Sequence, residues 1–230
     1  MKAASATHRL IPLLVLSMLL LIGGCSSAPS AAAATVSEAS SAARPGGELL
    51  IAQPPAGWQQ IGATSLANIK RAEFIPNEEE AANWTRRITF ESLAEKPLPD
   101  PIEFAQLLNE DRDRACNVFE SYVTFSGEEN GYPTAVNLLV CHEDKATERS
   151  EVSMIKTIQG NDFFYVVTRA RRGPPIEAEA PAADRAPAAE NRDAIEEAVI
   201  GAWSLYLKSV GVCDTERTSH PCPEAPETPD

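Results

Sequence analysis

The side chains able to do chemistry are few. Of five cysteines, Cys25 directly follows Gly23 and Gly24 at the end of an apolar run, while Cys116, Cys141, Cys213 and Cys222 lie far downstream. Two small residues before a Cys let a peptidase approach the backbone there, and the thiol itself is a nucleophile. The other four form an even set, which in an oxidising compartment implies two disulfides with three possible connectivities. His142 and His220 are the only histidines after the apolar run. A zinc site needs more ligands at close spacing, so no metal and no cofactor is expected, and Cys141-His142 reads as half a disulfide beside an exposed ring. No Gly-x-Ser-x-Gly elbow is present, and Ser126-Gly127 reads as a turn. Glu128-Glu129 and Glu143-Asp144 read as solvated acids in turns. A carboxylate-based hydrolase would need two acids facing across a cleft, which spacing along the chain does not establish. No catalytic residue is therefore assigned.

One basic feature stands out in an acidic chain: Arg169, Arg171 and Arg172. Such a cluster can hold an acidic partner or a carboxylate through charge-assisted hydrogen bonds. The simpler reading is a charged strand end that discourages edge pairing. Asn83-Trp84-Thr85 fits a glycosylation sequon and is discounted in a bacterial setting.

The N-terminus explains Cys25. Lys2 and Arg9 make a basic start, and Leu10 to Ile22 is a 13-residue apolar run containing Pro12. A spanning helix needs about 20 apolar residues, so this pattern is a secretory signal. Its end, Ile22-Gly23-Gly24-Cys25, resembles the lipobox of bacterial lipoproteins. The resemblance implies cleavage before Cys25, a diacylglycerol on its thiol and an acyl group such as palmitate on its new amino group. It further implies that the lipid on Cys25 attaches the protein to a membrane, since two or more chains anchor stably. Ser26, where an Asp often retains lipoproteins at the inner membrane, points to the outer membrane facing the periplasm.

The full chain carries 20 Lys and Arg against 33 Asp and Glu, a formal charge of −13. Residues 1–24 contain Lys2 and Arg9 and no acid, so the mature chain keeps 18 bases against 33 acids, or −15. Such a field repels nucleic acid, which is excluded as a partner.

Four segments follow. Residues 1–24 are the signal, and 25–47 are a lipid-anchored tether of small and polar residues, on the order of 25 Å as a flexible coil. Residues 48–213 form a single domain, interrupted by a Pro/Ala/Glu-rich loop at 173–190. Residues 214–230 are a Pro-rich tail. Short strands are expected at 49–52, 70–75 and 86–93, and a helix capped by Asp100 with Pro101 in its first turn. Strands at 117–125, 134–141, 151–158 and 163–171 make an antiparallel meander. Residues 191–210 have helical periodicity, with Ile195, Ala198, Val199, Ala202, Trp203, Tyr206 and Val210 on one side. The fold class expected is therefore α+β: an antiparallel sheet with a four-strand meander, covered by two main helices. This element order over 49–210 resembles the PsbP-like fold, without a diagnostic motif, and the chain also resembles uncharacterised bacterial lipoprotein families. Placing the first hairpin turn near Glu129 makes paired residue numbers sum to about 258 or 259 and brings Cys116 beside Cys141, which leaves Cys213 to pair with Cys222.

The function expected is a membrane-anchored envelope lipoprotein with a non-catalytic binding or scaffolding domain and an envelope protein as partner. The alternative is a periplasm-facing hydrolase using carboxylates in a cleft.

Overall fold

The computed structural model describes residues 47–176 and 199–223. The signal, Cys25 and the tether up to residue 46 lie outside the described residues, as do 177–198 and 224–230.

Strands dominate. The chain runs β1 (Glu48–Ile51), β2 (Trp58–Ser65), β3 (Ile69–Pro76) and β4 (Arg86–Leu93), then helix α1 (Pro101–Ala115). It continues through β5 (Phe119–Glu129), β6 (Tyr132–Cys141), β7 (Ser150–Gln159) and β8 (Phe164–Gly173), helix α2 (199–209 among the described residues) and β9 (Gly211–Asp214). Seven strands make one antiparallel sheet in the order β2-β3-β4-β8-β7-β6-β5, and β1 pairs with β9 as a separate ribbon.

This corrects the expected α+β class. The protein is mostly β, and its two helices are minor parts of it rather than the cover of a four-strand meander. Two features account for the error. Strand β2, sequence WQQIGATS, has few apolar residues and a register shift between Gln60 and Gly62, so it lacks a clean period of two. Strand β4 pairs with β8, a long-range contact that sequence order does not reveal, and so the β2–β4 segment extends the meander's sheet.

Local signals set the elements. Asp100 caps α1: its Oδ1 accepts hydrogen bonds from the amides of Ile102 at 2.8 Å and Glu103 at 3.2 Å. The first hairpin turns at Asn130-Gly131, both at positive φ, the geometry a two-residue turn needs. The expected turn near Glu129 is displaced by about one residue, and Ser126-Gly127 lies within β5. Cross-strand pairs such as Phe119–Cys141 sum to 260 rather than 258 or 259. Cys116 is bonded to Cys141, with Cα atoms 5.6 Å apart, and Cys213 to Cys222, with Cα atoms 4.8 Å apart.

Strand alternation gives the sheet two differently used faces. On one, Phe104 and Leu108 of α1 pack against Leu139, Ile155, Phe164 and Val166. On the other, Trp203, Leu207 and Val210 pack against Val136, Met154 and Val167. Val212 of β9 joins that second face beside Tyr132, Ile158 and Tyr165. These buried clusters are the core, and the apolar transfer of their side chains drives the fold.

Candidate functional site

Beside α2, the second face opens into a cavity of about 750 Å³. Its lining includes Trp58, Arg86, Arg149, Arg169, Arg171 and Trp203. Strand register explains how these residues meet. Arg169 and Arg171 are two apart on β8, so both project to one face. Arg171 lies opposite Arg86 of β4, and Arg169 lies opposite Ile88. Arg149 immediately precedes β7, whose first residue Ser150 pairs with Gly173. Helix α2 closes the wall with Val199, Ala202 and Trp203.

The arginines are not equivalent. Arg86 is engaged: its Nε lies 2.8 Å from Glu79 and its Nη2 lies 2.6 Å from Glu78. Glu79 also accepts the Thr85 amide at 2.6 Å, the Thr85 hydroxyl at 2.8 Å and the Arg86 amide at 3.0 Å. Desolvation alone would raise the Glu79 carboxyl, but the bonds from Thr85 and Arg86 outweigh it and hold the group at about 2. Arg169 sits with its guanidinium carbon 5.7 Å from the Trp203 ring centre and 5.1 Å from that of Tyr206. Those ring faces attract the cation. Burial pulls Arg169 below its ordinary value, yet a guanidinium stays charged. Burial pushes the Tyr206 hydroxyl up to about 12, and that hydroxyl donates to the Gln53 carbonyl at 2.8 Å. Among the described residues, Arg149, Arg169 and Arg171 have no acid within ion-pair distance. Two arginines directly across a ladder, as Arg86 and Arg171 are, repel each other, and here only Arg86 is neutralised.

The sequence cluster of Arg169, Arg171 and Arg172 is thus divided by the pleat. Arg172 also borders the cavity, but its side chain is engaged on the α1 face, where its Nε donates to Glu151 at 2.8 Å and its guanidinium lies 4.0 Å over Trp84. Arg87 approaches the same ring at 4.2 Å, and Arg112 of α1 donates to the other Glu151 oxygen at 2.9 Å. Glu151 is buried, so this is a structural knot. Sequence reasoning missed Arg86, Arg149 and Trp58 as neighbours of Arg169 and Arg171. The β2–β3, β3–β4 and β4–β8 pairings and the turn before β7 bring them together.

Cys141 and His142 are separated in role. Cys141 is in its disulfide, and His142 Nε2 lies 2.9 Å from Glu120. His220 stacks on Tyr132 with ring centres 4.2 Å apart. Among the described residues, no three of His, Cys, Asp and Glu converge as a metal site would require, and no helix is long and apolar enough to cross a membrane.

No known family matches the chain, and no curated protein matches it. Among solved structures it is similar to the crystal structure of LpqN, involved in cell envelope biogenesis of Mycobacterium tuberculosis. That likeness has 11% identity and a TM-score of 0.36, over 57% of this chain and 74% of that one. A likeness at that level assigns no residue and no role here.

Proposed function

We propose that this is a lipid-anchored envelope protein whose folded domain is a non-catalytic binding module for an anionic envelope component. Attachment is through lipid on Cys25, at the outer membrane facing the periplasm, with residues 25–47 as tether and 48–213 as the domain. The lipobox supports the anchor. Four cysteines joined as Cys116–Cys141 and Cys213–Cys222 support an exported, oxidising location. The single observation that carries the binding role is the cavity holding Arg149, Arg169 and Arg171, none with an acid partner among the described residues, against two tryptophans. A hydrolase of the carboxylate class needs two facing acids. This lining instead supplies guanidinium, indole, hydroxyl and aliphatic groups, which suits binding an anion.

A photo-crosslinking residue in place of Ala202, exposed on the cavity wall, tests the role in intact envelopes. Irradiation is expected to give one dominant adduct that disappears when Arg149→Gln and Arg171→Gln are added. The absence of an adduct, or one indifferent to both arginines, overturns the reading.

A further inference from the structure

Three guanidiniums without acids among the described residues are conspicuous in a chain with 33 acidic residues against 20 basic ones. We infer that the cavity is built for a phosphorylated amphiphile, its phosphate held by Arg149, Arg169 and Arg171 and its apolar body lying against Trp58 and Trp203. This rests on the binding role proposed above and names the chemical class of the ligand.

Charge argues for phosphate over carboxylate. A carboxylate carries one charge on two oxygens, which a single guanidinium fork already neutralises. A phosphomonoester carries about −1.5 to −2 charge and three acceptor oxygens near neutral pH, so it engages three guanidiniums. The donors approach from separate elements: Arg169 and Arg171 from alternate positions of β8, and Arg149 from the turn before β7. Arg171 meets no acid from its cross-strand partners, since Arg86 lies on one side and Val152 on the other.

Shape argues for an apolar body. A cavity of about 750 Å³ is far more than a bare phosphate fills, and falls within the range of roughly 300–1,000 Å³ typical of sites for larger organic ligands. Val199, Ala202, Trp58 and Trp203 supply its apolar wall. Arg169 is held beforehand by the Trp203 and Tyr206 rings, and Tyr206 is itself fixed to the Gln53 carbonyl. A donor already immobilised loses little further freedom on binding. The acidic chain as a whole repels polyanions such as nucleic acid, whereas a single phosphate entering this cavity meets the local guanidiniums first.

The test uses the full lipidated chain in phosphatidylcholine nanodiscs, titrated with hexyl phosphate, inorganic phosphate and 1-hexanol. Tryptophan fluorescence and phosphorus NMR report binding. Hexyl phosphate is expected to bind saturably and at least about tenfold tighter than inorganic phosphate, with no saturable binding of hexanol. The double variant Arg149→Gln/Arg171→Gln is expected to weaken hexyl phosphate roughly a hundredfold, from the loss of two charge-assisted contacts. Trp58→Ala is expected to weaken hexyl phosphate but leave inorganic phosphate unchanged, with thermal midpoints confirming that both variants fold. Equal affinity for the two phosphates, or indifference to the arginines, overturns the phosphorylated-amphiphile assignment. An arginine-dependent adduct at position 202 that lacks phosphorus overturns the ligand class while the binding role stands; absence of any adduct overturns both. Replacing a minor fraction of the bilayer with phosphatidic acid then identifies the source. Competition with hexyl phosphate marks a lipid headgroup and an unchanged titration marks a soluble ligand, and either result is consistent with the assignment.

Discussion

The Nζ of Lys156 donates to the carbonyl oxygen of Val210 at 2.6 Å, and to that of Leu207 at 2.9 Å. A buried lysine in β7 therefore caps the C-terminal end of α2, where the last carbonyls lack intrahelical donors and the helix dipole favours a cation. Glu129 of β5 pairs with the same ammonium. Lys156→Met keeps the aliphatic stem but removes the ammonium from the Val210 carbonyl, from the Leu207 carbonyl, which keeps the Val210 amide at 3.3 Å, and from Glu129, whose side chain is 35% exposed. A loss of about 2–4 kcal/mol is expected in urea unfolding, the scale for breaking a buried charge-assisted network. A loss below about 0.5 kcal/mol would mean that water replaces the ammonium without cost.

Lys156 also shows where legibility ended. Positions 152, 154 and 158 announce a buried strand face, and Lys156 breaks that pattern; the carbonyls that answer it, of Leu207 and Val210, lie more than fifty positions away at the end of α2. The meander, the Asp100 cap and the apolar side of α2 through Trp203 and Val210 were readable because they rest on local period and capping. Strand β2 was not, because it lacks a clean alternation, and the β4–β8 pairing and the β1–β9 ribbon were not, because their pairing is non-local. For the site, Arg169 and Arg171 were visible as charges out of place. Arg86 joins them only through register, and Arg172, though it borders the cavity, has its guanidinium held by Glu151 and Trp84.

Glu79 gives a pH signature. Its carboxyl is held at about 2, against an ordinary 4.5, by Thr85 and Arg86. A depressed acid contributes its full stability above the ordinary value and loses it as pH falls toward the folded value. The thermal midpoint of the wild-type chain should therefore decline between about pH 4.5 and pH 2, and Glu79→Gln should show a shallower decline across that window. Parallel curves for the two proteins would exclude Glu79 as a source of acid sensitivity.

The two disulfides should differ in what they hold. Cys116–Cys141 joins the end of α1 to β6 across 25 residues, and removing it with paired serines should cost about 3 kcal/mol. Cys213–Cys222 closes a shorter ring, but that ring carries His220 onto Tyr132. Its removal should release the His220 ring, seen as a change in its NMR shift, with a smaller fall in the urea midpoint. An unmoved His220 signal would show that the Nδ1 contact with the Asn130 carbonyl at 2.8 Å holds the tail without the bridge.

Anchoring has its own test. With Cys25→Ser the thiol that would receive the diacylglycerol is gone, so the precursor should accumulate unprocessed and incorporate no fatty-acid analogue. Normal processing and labelling of that variant would remove the lipobox from consideration and leave an ordinary export signal.

The divided arginine cluster separates binding from stability within three residues. Arg171 is exposed on the cavity side and has no ion-pair partner among the described residues, so Arg171→Ala should change stability by less than about 0.5 kcal/mol. Arg172→Ala removes one of the two guanidiniums hydrogen-bonded to buried Glu151. It also removes the cation resting on Trp84. A carboxylate left half-paired in that position is costly, and a loss of about 2–4 kcal/mol is expected in the same urea measurement. Pairing Arg172→Ala with Glu151→Gln should recover part of that loss, because the stranded charge is gone. The cavity ligand should respond in the opposite order, with Arg171→Ala weakening it and Arg172→Ala leaving its affinity nearly unchanged at temperatures where both variants stay folded. Equal stability losses for the two alanine variants would contradict the assignment of Arg172 to the Glu151 knot, and equal affinity losses would contradict the division of the cluster by the β8 pleat.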